Sequence, residues 1–265
     1  MNYLDFLPKM DIVDKNGQEI PFHPNSEQKS FLEKMTNKNV ILKARQIGFT
    51  SLILAIFTTD FLTVPNSRSV CISHDASSAQ KLLDKVKFYL RSMEKKGLGI
   101  NLKYNSRSEL VNQDTNSTFF IGPAGSKTFG RGETLNNLHL SEFGFYPDPE
   151  ALLASVMQAV VPNGRVIVES TANGMNFFKT FWDRAKSGSN SFTAHFHDNR
   201  FYSPEFLAEK QLELGDMFPQ EYPASDLEAF LSSGNPFFDK ASLAYYLTQI
   251  KDPVNSFKDY HDLPV

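Results

Sequence analysis

Cysteine, tryptophan and long apolar runs are all scarce in this sequence. The single cysteine, Cys71, has no partner within the chain, which excludes a disulfide scaffold and favours a reducing, cytoplasmic compartment. The longest apolar stretches, Ser51–Thr59 and Ala151–Val161, fall far short of the ~18 residues that a membrane span needs, so we expect no transmembrane helix and no membrane partner. No basic segment followed by an apolar run opens the chain, so no secretory signal is predicted.

An excess of positive charge is also missing. The 27 Lys and Arg against 30 Asp and Glu give a formal net charge of -3, so the chain does not hold nucleic acid by bulk charge. Any contact with DNA must be local or shared among copies. Phenylalanine is abundant, with 24 residues, and 41% of the chain is apolar, which excludes disorder as a class. A length of 265 residues predicts one large domain, or one domain with a small appendage.

Strand-like apolar runs alternate with helical segments along most of the chain. Strands are predicted at 39–43, 69–73, 109–111, 117–122, 135–140, 165–170 and 191–197. Helices are predicted at 50–64, at 76–96 after Asp75, after Asp148 and Pro149, and from about 175 to 186. This rhythm predicts βαβ units and a mostly parallel sheet. The tail from about residue 200 shows short helices instead, with starts at Ser203, Ser225 and Asp239.

A glycine-containing loop joins the first of these strands to the helix that follows. It comprises Lys43, Ala44, Arg45, Gln46, Ile47, Gly48, Phe49, Thr50 and Ser51. Backbone N–H groups and the positive end of a helix dipole converge in such a loop, so it is a candidate phosphate site. Against the pattern GxxxxGK[ST], Gly48 and Thr50 match, whereas Phe49 occupies the lysine position. Lys43 and Arg45 lie just upstream and can supply the displaced charge; an ordinary strand-to-helix turn is the alternative.

A carboxylate follows the strand predicted at 135–140. Glu142 lies at the edge where open α/β sheets bind ligands, and there it can polarise a water for attack on a γ-phosphate. Ser141 stands where the usual motif has an aspartate that holds the magnesium hydration shell. A strand-end glutamate facing solvent is the alternative.

A third polar segment follows the strand predicted at 165–170. It comprises Glu169, Ser170, Thr171, Ala172, Asn173 and Gly174. Polar residues at such a strand end can sense a γ-phosphate, and the turn at Asn173 and Gly174 can shift with it. A plain loop is the alternative. The order and spacing of the three segments, each closing a separate strand of one sheet, favour a nucleotide site.

With these segments in place, the sequence resembles the ATPase domain of the large terminase subunit of tailed bacteriophages, the motor that packages genomic DNA into procapsids. The resemblance rests on KARQIGFTS, GRGETLNNLHLSEFGFYPDPE, VIVESTANG and FPQEYPASDLEAFLSSGNPFF, and reaches from about residue 22 to about 238. It implies a three-layer RecA-like phosphate-loop NTPase core of the ASCE type at 1–200, with a mostly parallel sheet. A small helical lid or linker subdomain is expected at 201–265.

The resemblance also implies roles for individual residues. Gln28 matches an adenine-sensing glutamine, with an exposed helix residue as the alternative. Arg45 is expected to be the loop arginine, Thr50 the magnesium ligand with Ser141 beside it at the metal, and Glu142 the catalytic carboxylate. The segment 170–174 corresponds to the coupling motif.

Arg131 lies in a glycine-flanked loop before the acidic strand. In ring ATPases an exposed loop arginine can reach the neighbouring subunit's nucleotide and neutralise charge in the transition state. The resemblance makes Arg131 the best arginine-finger candidate. A solvated arginine, or one that binds nucleotide within its own subunit, is the alternative.

The function implied is ATP hydrolysis with Mg²⁺ that drives double-stranded DNA into a procapsid. The expected partners are DNA, the portal protein of the procapsid, the small terminase subunit and further copies in a ring, at the procapsid vertex in the host cytoplasm. The family's large subunit normally carries a nuclease domain, which we expect to be absent because the sequence stops at DLPV. A helicase-like DNA-remodelling ATPase and a degenerate nucleotide-sensing module without turnover are the alternative functions.

Overall fold

A computed structural model of the chain describes residues 2–126 and 134–233, together with residues 242, 245, 246, 248 and 249. Its strands are β1 (Asp11–Val13), β2 (Glu19–Pro21), β3 (Lys38–Lys43), β4 (Arg68–Ser73), β5 (Leu102–Asn105), β6 (Glu109–Asn112), β7 (Thr118–Pro123), β8 (Leu135–Ser141), β9 (Val160–Ser170) and β10 (Thr193–His197). Its α-helices are α1 (Tyr3–Phe6), α2 (Ser26–Lys34), α3 (Phe49–Thr63), α4 (Ala76–Lys95), α5 (Pro149–Met157), α6 (Phe177–Lys186), α7 (Pro204–Leu214), α8 (Phe218–Glu221) and α9 (Asp226–Ser232).

The central sheet has the strand order β10-β3-β9-β8-β4-β7-β6-β5. The strands from β10 to β7 are parallel, and β6 and β5 add an antiparallel edge. The mostly parallel α/β sheet predicted from the sequence is confirmed. Because β3, β9 and β8 are neighbours and parallel, their carboxyl ends lie side by side at one edge.

Two apolar layers enclose this sheet. Alternate residues of a strand point to opposite faces, so Ile41 packs with α3 and α4 while Val40 and Leu42 pack with α6 on the other side. The strands read as nearly continuous apolar runs because both faces are covered. Helices, sheet and helices therefore form three layers.

Local capping sets most helix starts where the sequence predicts them. The Asp75 carboxylate accepts a hydrogen bond from the Ser78 N–H at 2.8 Å, and α4 begins at the next residue. The helix predicted from 175 begins instead at Phe177, because the Asn176 side chain caps it. The last strand of the sheet begins at Thr193 rather than at 191. Sequence patterns missed α1, the β1–β2 hairpin and β5, which are short and weakly patterned.

In the tail, α7 begins directly after Ser203 and α9 directly after Ser225, as predicted. The start predicted at Asp239 lies outside the described residues. Within the ranges that the structure describes, no helix is long and apolar enough to cross a bilayer.

Candidate nucleotide site

The loop between β3 and α3 turns sharply at two positions with left-handed backbone. Gln46 has φ of 62° and Gly48 has φ of 90°. A Cβ atom at Gly48 would lie only 2.9 Å from the Gln28 side-chain nitrogen, so both the conformation and the close approach require glycine. The loop thus delivers the N-terminus of α3, with its unpaired N–H groups, to the sheet edge.

The Lys43 amine lies at the centre of this edge. Its side chain is only 6% exposed, and Nζ lies 3.2 Å from Glu142 Oε1 and 3.1 Å from Glu169 Oε2. These two carboxylates come from the ends of β8 and β9, the neighbouring strands. Lys43 therefore presents a positive charge on the sheet side of the loop, where the sequence suggested a substitute for the missing lysine.

Glu169 is completely buried, and its two carboxylate oxygens have different neighbours. Oε1 accepts hydrogen bonds from the hydroxyls of Thr50 at 2.9 Å and Ser141 at 2.8 Å. The ring of His139 is also buried, with Nε2 3.4 Å from the same oxygen. One carboxylate therefore joins the first turn of α3 to the end of β8.

Lys43 and Glu169 shift each other's pKa in opposite directions. Burial acts to lower the pKa of Lys43, but the charges of Glu169 and Glu142 outweigh it and hold that pKa above its usual range. Burial acts to raise the pKa of Glu169, but the charge of Lys43 and the polar neighbours His139 and Ser141 hold it well below its usual range. Both groups are ionised at neutral pH.

Glu142 reaches the cleft from a strained position. Its backbone is left-handed, with φ of 56°, at the point where β8 ends. Its side chain is 30% exposed and lines a cleft of about 370 Å³. Arg45, His74 and Thr171 line the same cleft. A strained backbone that aims a carboxylate into a cleft is frequent at functional sites.

Arg45 pairs with a different carboxylate, Glu221. Its side chain is 59% exposed, and its guanidinium donates to Glu221 at 2.9 Å. The Arg45 backbone N–H donates to the carbonyl of Glu221, and the Tyr202 hydroxyl donates to the Arg45 carbonyl. The loop is thereby tied to the helical tail.

Phe49, which occupies the lysine position of the usual pattern, is fully buried. Its ring packs 5.6 Å from that of Phe31 and 4.3 Å from that of His197, measured between centroids. The side chain at this position of the loop therefore belongs to the apolar core rather than to the cleft.

Gln28 is buried rather than exposed, with 4% of its surface accessible. Its Nε2 donates to the Gly48 carbonyl at 2.8 Å and its Oε1 accepts from the Asn25 N–H at 3.0 Å. The alternative of an exposed helix residue is wrong, because Gln28 closes the capping box of α2 and braces the loop. The amide keeps a second N–H and a second lone pair, and contact with an adenine ring stays a prediction.

The segment 170–174 is bonded to the turn that follows Glu142. Ser170 Oγ accepts from the Gly144 N–H at 3.0 Å, and Asn173 donates to the Gly144 carbonyl at 3.0 Å. The Gly174 N–H donates to Ser233 Oγ at 2.6 Å, just beyond α9. The three strand ends and the tail thus meet around one cleft.

The sequence analysis places Glu169 at the head of the third polar segment but gives it no catalytic or metal-binding role. A signal was present, since Glu169 is the charged residue near the end of the apolar run VIVES. Glu221 was quoted within a resembling segment but given no role. Arg131, the arginine-finger candidate, lies outside the described residues.

The strand order, the turn at Gly48 and the converging strand ends define a RecA-like α/β domain. No family model matches the sequence. Among solved structures, the large terminase ATPase domain of Thermus phage P74-26 is 19% identical with a TM-score of 0.63, over 77% of this chain and 94% of that one. The HK97 bacteriophage large terminase is 18% identical with a TM-score of 0.63, over 94% of this chain and 51% of that one, so this chain spans about half its length.

A large terminase from a thermophilic bacteriophage, in complex with ATP-gamma-S, is 13% identical with a TM-score of 0.57, over 76% of this chain and 52% of that one. At these identities the likeness concerns the fold. The chain has the α/β fold of large terminase ATPase domains.

Proposed function

We propose that the chain is the ATP-hydrolysing motor domain of a viral terminase large subunit, driving double-stranded DNA into a procapsid. The observation that carries the proposal is the Lys43 amine, held between Glu142 and Glu169 directly behind the loop. A buried cation, a catalytic carboxylate and a helix N-terminus at one sheet edge are what phosphoryl transfer requires. The shared fold with large terminase ATPase domains supports the particular motor.

The proposed phosphate-binding groups are the loop between β3 and α3 and the Lys43 amine. The N–H groups at the start of α3 have no partners within the helix, so they favour an anion. Lys43 adds a cation in a poorly solvated place, where charges interact strongly, and a phosphate would share this cation with Glu142 and Glu169. Arg45 can join from the solvent side if it leaves Glu221.

The residues at the end of β8 and the start of α3 fit a magnesium ion. Mg²⁺ prefers oxygen ligands, and the hydroxyls of Thr50 and Ser141 converge on one carboxylate oxygen of Glu169. In the described part of the chain, no three His, Cys, Asp or Glu residues are grouped to hold a metal, and nucleotide oxygens and waters would complete the coordination of Mg²⁺. Thr50 and Ser141 would help to hold the ion, and the chemistry it would supply with ATP is neutralisation of charge on the phosphate oxygens.

Glu142 is the proposed general base. It is the carboxylate of the pair that reaches the cleft, whereas Glu169 has no exposed surface. Lys43 holds one oxygen of Glu142 and leaves the other available for a water. The left-handed turn at Glu142 is followed by Gly144, to which Ser170 and Asn173 are bonded. Movement of Glu142 on hydrolysis would therefore reach the segment 170–174, the proposed coupling motif.

The proposed partners are double-stranded DNA, the portal protein of a procapsid, a small terminase subunit and further copies of the chain in a ring. The proposed cofactors are ATP and Mg²⁺, and the proposed site of action is the procapsid vertex in the host cytoplasm. A helicase-like DNA-remodelling ATPase and a sensing module without turnover would use the same site, and turnover and strand-displacement assays separate them.

The first test replaces Glu142 with glutamine. If Glu142 positions the attacking water, Glu142→Gln keeps nucleotide affinity nearly intact and lowers steady ATP hydrolysis at least ~10²-fold, the size expected of a general base. Phosphate release and ADP titration measure the two quantities. Glu150→Gln, at an exposed carboxylate on α5, is the matched control and should hydrolyse at the wild-type rate.

A Glu142→Gln variant with wild-type turnover would remove Glu142 from the mechanism. Wild-type protein that binds ATP without releasing phosphate, with or without DNA, would favour the sensing module. Strand displacement by wild-type protein would favour the helicase-like alternative.

A further inference from the structure

The proposed magnesium site lacks a carboxylate at position 141, at the end of β8. In phosphate-loop NTPases the metal ion is held by the loop serine or threonine together with an aspartate at the end of a neighbouring strand. Ser141 occupies that position here and carries no charge. Another group must supply the negative charge if the ion is to bind with normal affinity.

Glu169 lies one strand away at the same level of the sheet. In the β8–β9 ladder, the residue directly paired with Ser141 is Glu169. Strand β9 lies between β8 and β3, the strand that leads into the loop. A glutamate side chain from β9 therefore reaches the space that an aspartate at 141 would fill.

The contacts of Glu169 Oε1 match that role. This oxygen accepts the Thr50 hydroxyl at 2.9 Å and the Ser141 hydroxyl at 2.8 Å. Thr50 is in the first turn of α3, where the metal-ligating hydroxyl is expected. The hydrogen bond between Thr50 and Glu169 therefore places a carboxylate beside the expected position of the magnesium ion.

A purely structural role for Glu169 would explain the contact of Oε2 with Lys43 but not the contacts of Oε1. Lys43 Nζ lies 3.1 Å from Glu169 Oε2, so Glu169 is also a counter-ion for a buried amine. Glu142 already provides a second carboxylate for Lys43 at 3.2 Å. Charge balance on Lys43 therefore does not account for the two hydroxyls gathered at Oε1.

We propose that Glu169 replaces the missing aspartate and, with Thr50, holds the hydration shell of the nucleotide-bound Mg²⁺. The Ser141 hydroxyl orients the Glu169 carboxylate toward that position. This inference rests on the proposed function of the site, since it needs a bound nucleotide.

The test measures ADP affinity by calorimetry in Mg²⁺ and, separately, in EDTA. The ratio of the two affinities reports the metal and does not depend on turnover. Wild-type protein should bind ADP more tightly with Mg²⁺, and Glu169→Gln should reduce that ratio by ~10-fold to 100-fold, the range for residues that support a metal through its outer shell. Glu150→Gln, at an exposed carboxylate on α5, is the matched control and should keep the ratio within about threefold of wild type, well short of the tenfold loss that marks a metal-supporting group.

The swap variant S141D/E169S returns the carboxylate to the usual strand. In this variant the ratio of ADP affinities in Mg²⁺ and in EDTA should return most of the way to the wild-type value, because one carboxylate again faces Thr50. This variant also keeps the test open if Glu169→Gln does not fold, since a negative charge remains near Lys43. Thermal unfolding of each variant establishes which are folded.

Equal weakening of ADP binding with and without Mg²⁺ in Glu169→Gln would reduce Glu169 to a counter-ion and overturn the proposal. A folded swap variant that binds ADP but gains nothing from Mg²⁺ would overturn it as well. Wild-type protein that binds no ADP under either condition would contradict the proposed function itself. A Glu169→Gln variant whose Mg²⁺-to-EDTA affinity ratio equals that of wild type would contradict only the role of Glu169.

Discussion

The two cations of the loop have opposite surroundings. Lys43 is buried against two carboxylates, whereas Arg45 is mostly exposed and paired with Glu221. Attraction between charges is strong where water is excluded and weak at an exposed surface. Lys43 is therefore the stronger candidate for the displaced lysine, although the sequence alone favoured Arg45 with Lys43 in support.

At the residue scale, we predict that Lys43→Met lowers ATP hydrolysis by ~10²-fold or more, whereas Arg45→Ala lowers it by about tenfold or less. Lys43→Met should also lower the free energy of unfolding by about 3–5 kcal/mol, because two carboxylates lose their buried partner. Phosphate release and chemical denaturation check both values. Lys95→Met, at a lysine 66% exposed, is the matched control and should change neither.

A greater loss of turnover in Arg45→Ala than in Lys43→Met would return the main phosphate contact to Arg45. Phe49 has no part in this comparison, since its ring fills the core between Phe31 and His197. A lysine at that position would bury its charge against two rings, which explains why the cation is placed elsewhere in this loop.

At the scale of single elements, the edge strand β10 carries two histidines on one face. His195 Nε2 lies 3.0 Å from Asn39 Oδ1, which also accepts from the Thr36 N–H, so the ring nitrogen must donate. Burial, with the nearby charges of His197 and Lys34, lowers the pKa of His195 to about 4. Folded β10 therefore holds His195 in its neutral form at neutral pH.

We predict that this histidine makes the fold acid-sensitive. An unfolded histidine titrates near 6.5, so between pH 6.5 and about 4 the unfolded state binds a proton that the folded state does not. The contribution of neutral His195 to the free energy of unfolding is therefore fully present above pH 6.5. It is lost as the pH drops toward 4, by a value on the order of 2 kcal/mol. Thermal unfolding from pH 7 to 4 measures the loss.

His195→Gln keeps a donor for Asn39 and cannot be protonated in this range, so its stability should fall less over the same pH interval. His197, whose pKa is also lowered by burial, contributes a second part of the slope that remains in this variant. Parallel pH profiles for wild type and His195→Gln would show that His195 is not responsible.

At the scale of the whole molecule, the helical tail and the core are joined around the loop. Glu221 at the end of α8 binds Arg45, and Asp226 at the start of α9 accepts from the Trp182 indole at 2.9 Å. The Gly174 N–H donates to Ser233 beyond α9. The boundary at residue 200 between a core and a lid remains a prediction, and these contacts are where such a lid would sense the nucleotide.

Assembly of several copies of the chain also belongs to the scale of the whole molecule. We predict that several copies share the contact with duplex DNA, since affinity comes from neutralised phosphates and one chain has a net charge of -3. We predict that Arg131 acts across a subunit boundary and that the isolated chain is a slow ATPase that speeds up when copies are assembled. Mixing Arg131→Ala with Glu142→Gln subunits tests this, because each supplies what the other lacks.

Turnover by the mixture above that of either variant alone is the expected result. Under conditions where wild-type subunits assemble and hydrolyse ATP, a mixture as inactive as its components would place Arg131 within its own subunit's site or outside the chemistry.

The order of most strands and helices, and three candidate segments at strand ends, could be predicted from the sequence. Apolar runs, Asp75 and Ser203 as helix caps, and the glycine at 48 act on neighbouring residues, so their effects are visible in a local pattern. The loop, Glu142 and the segment 170–174 could be placed at one sheet edge for the same reason, because carboxyl ends of parallel strands share an edge.

Which strands are neighbours, and therefore which residues pair with each charge, could be known only from the folded structure. Thr50 and Glu169 are separated by 119 positions, and Lys43 and Glu142 by 99, so no local pattern brings them together. Only the order β3-β9-β8 places Glu169 between the loop and Ser141. A buried charge is stable only beside such partners, and these partners come from packing of the whole sheet, which no single segment encodes.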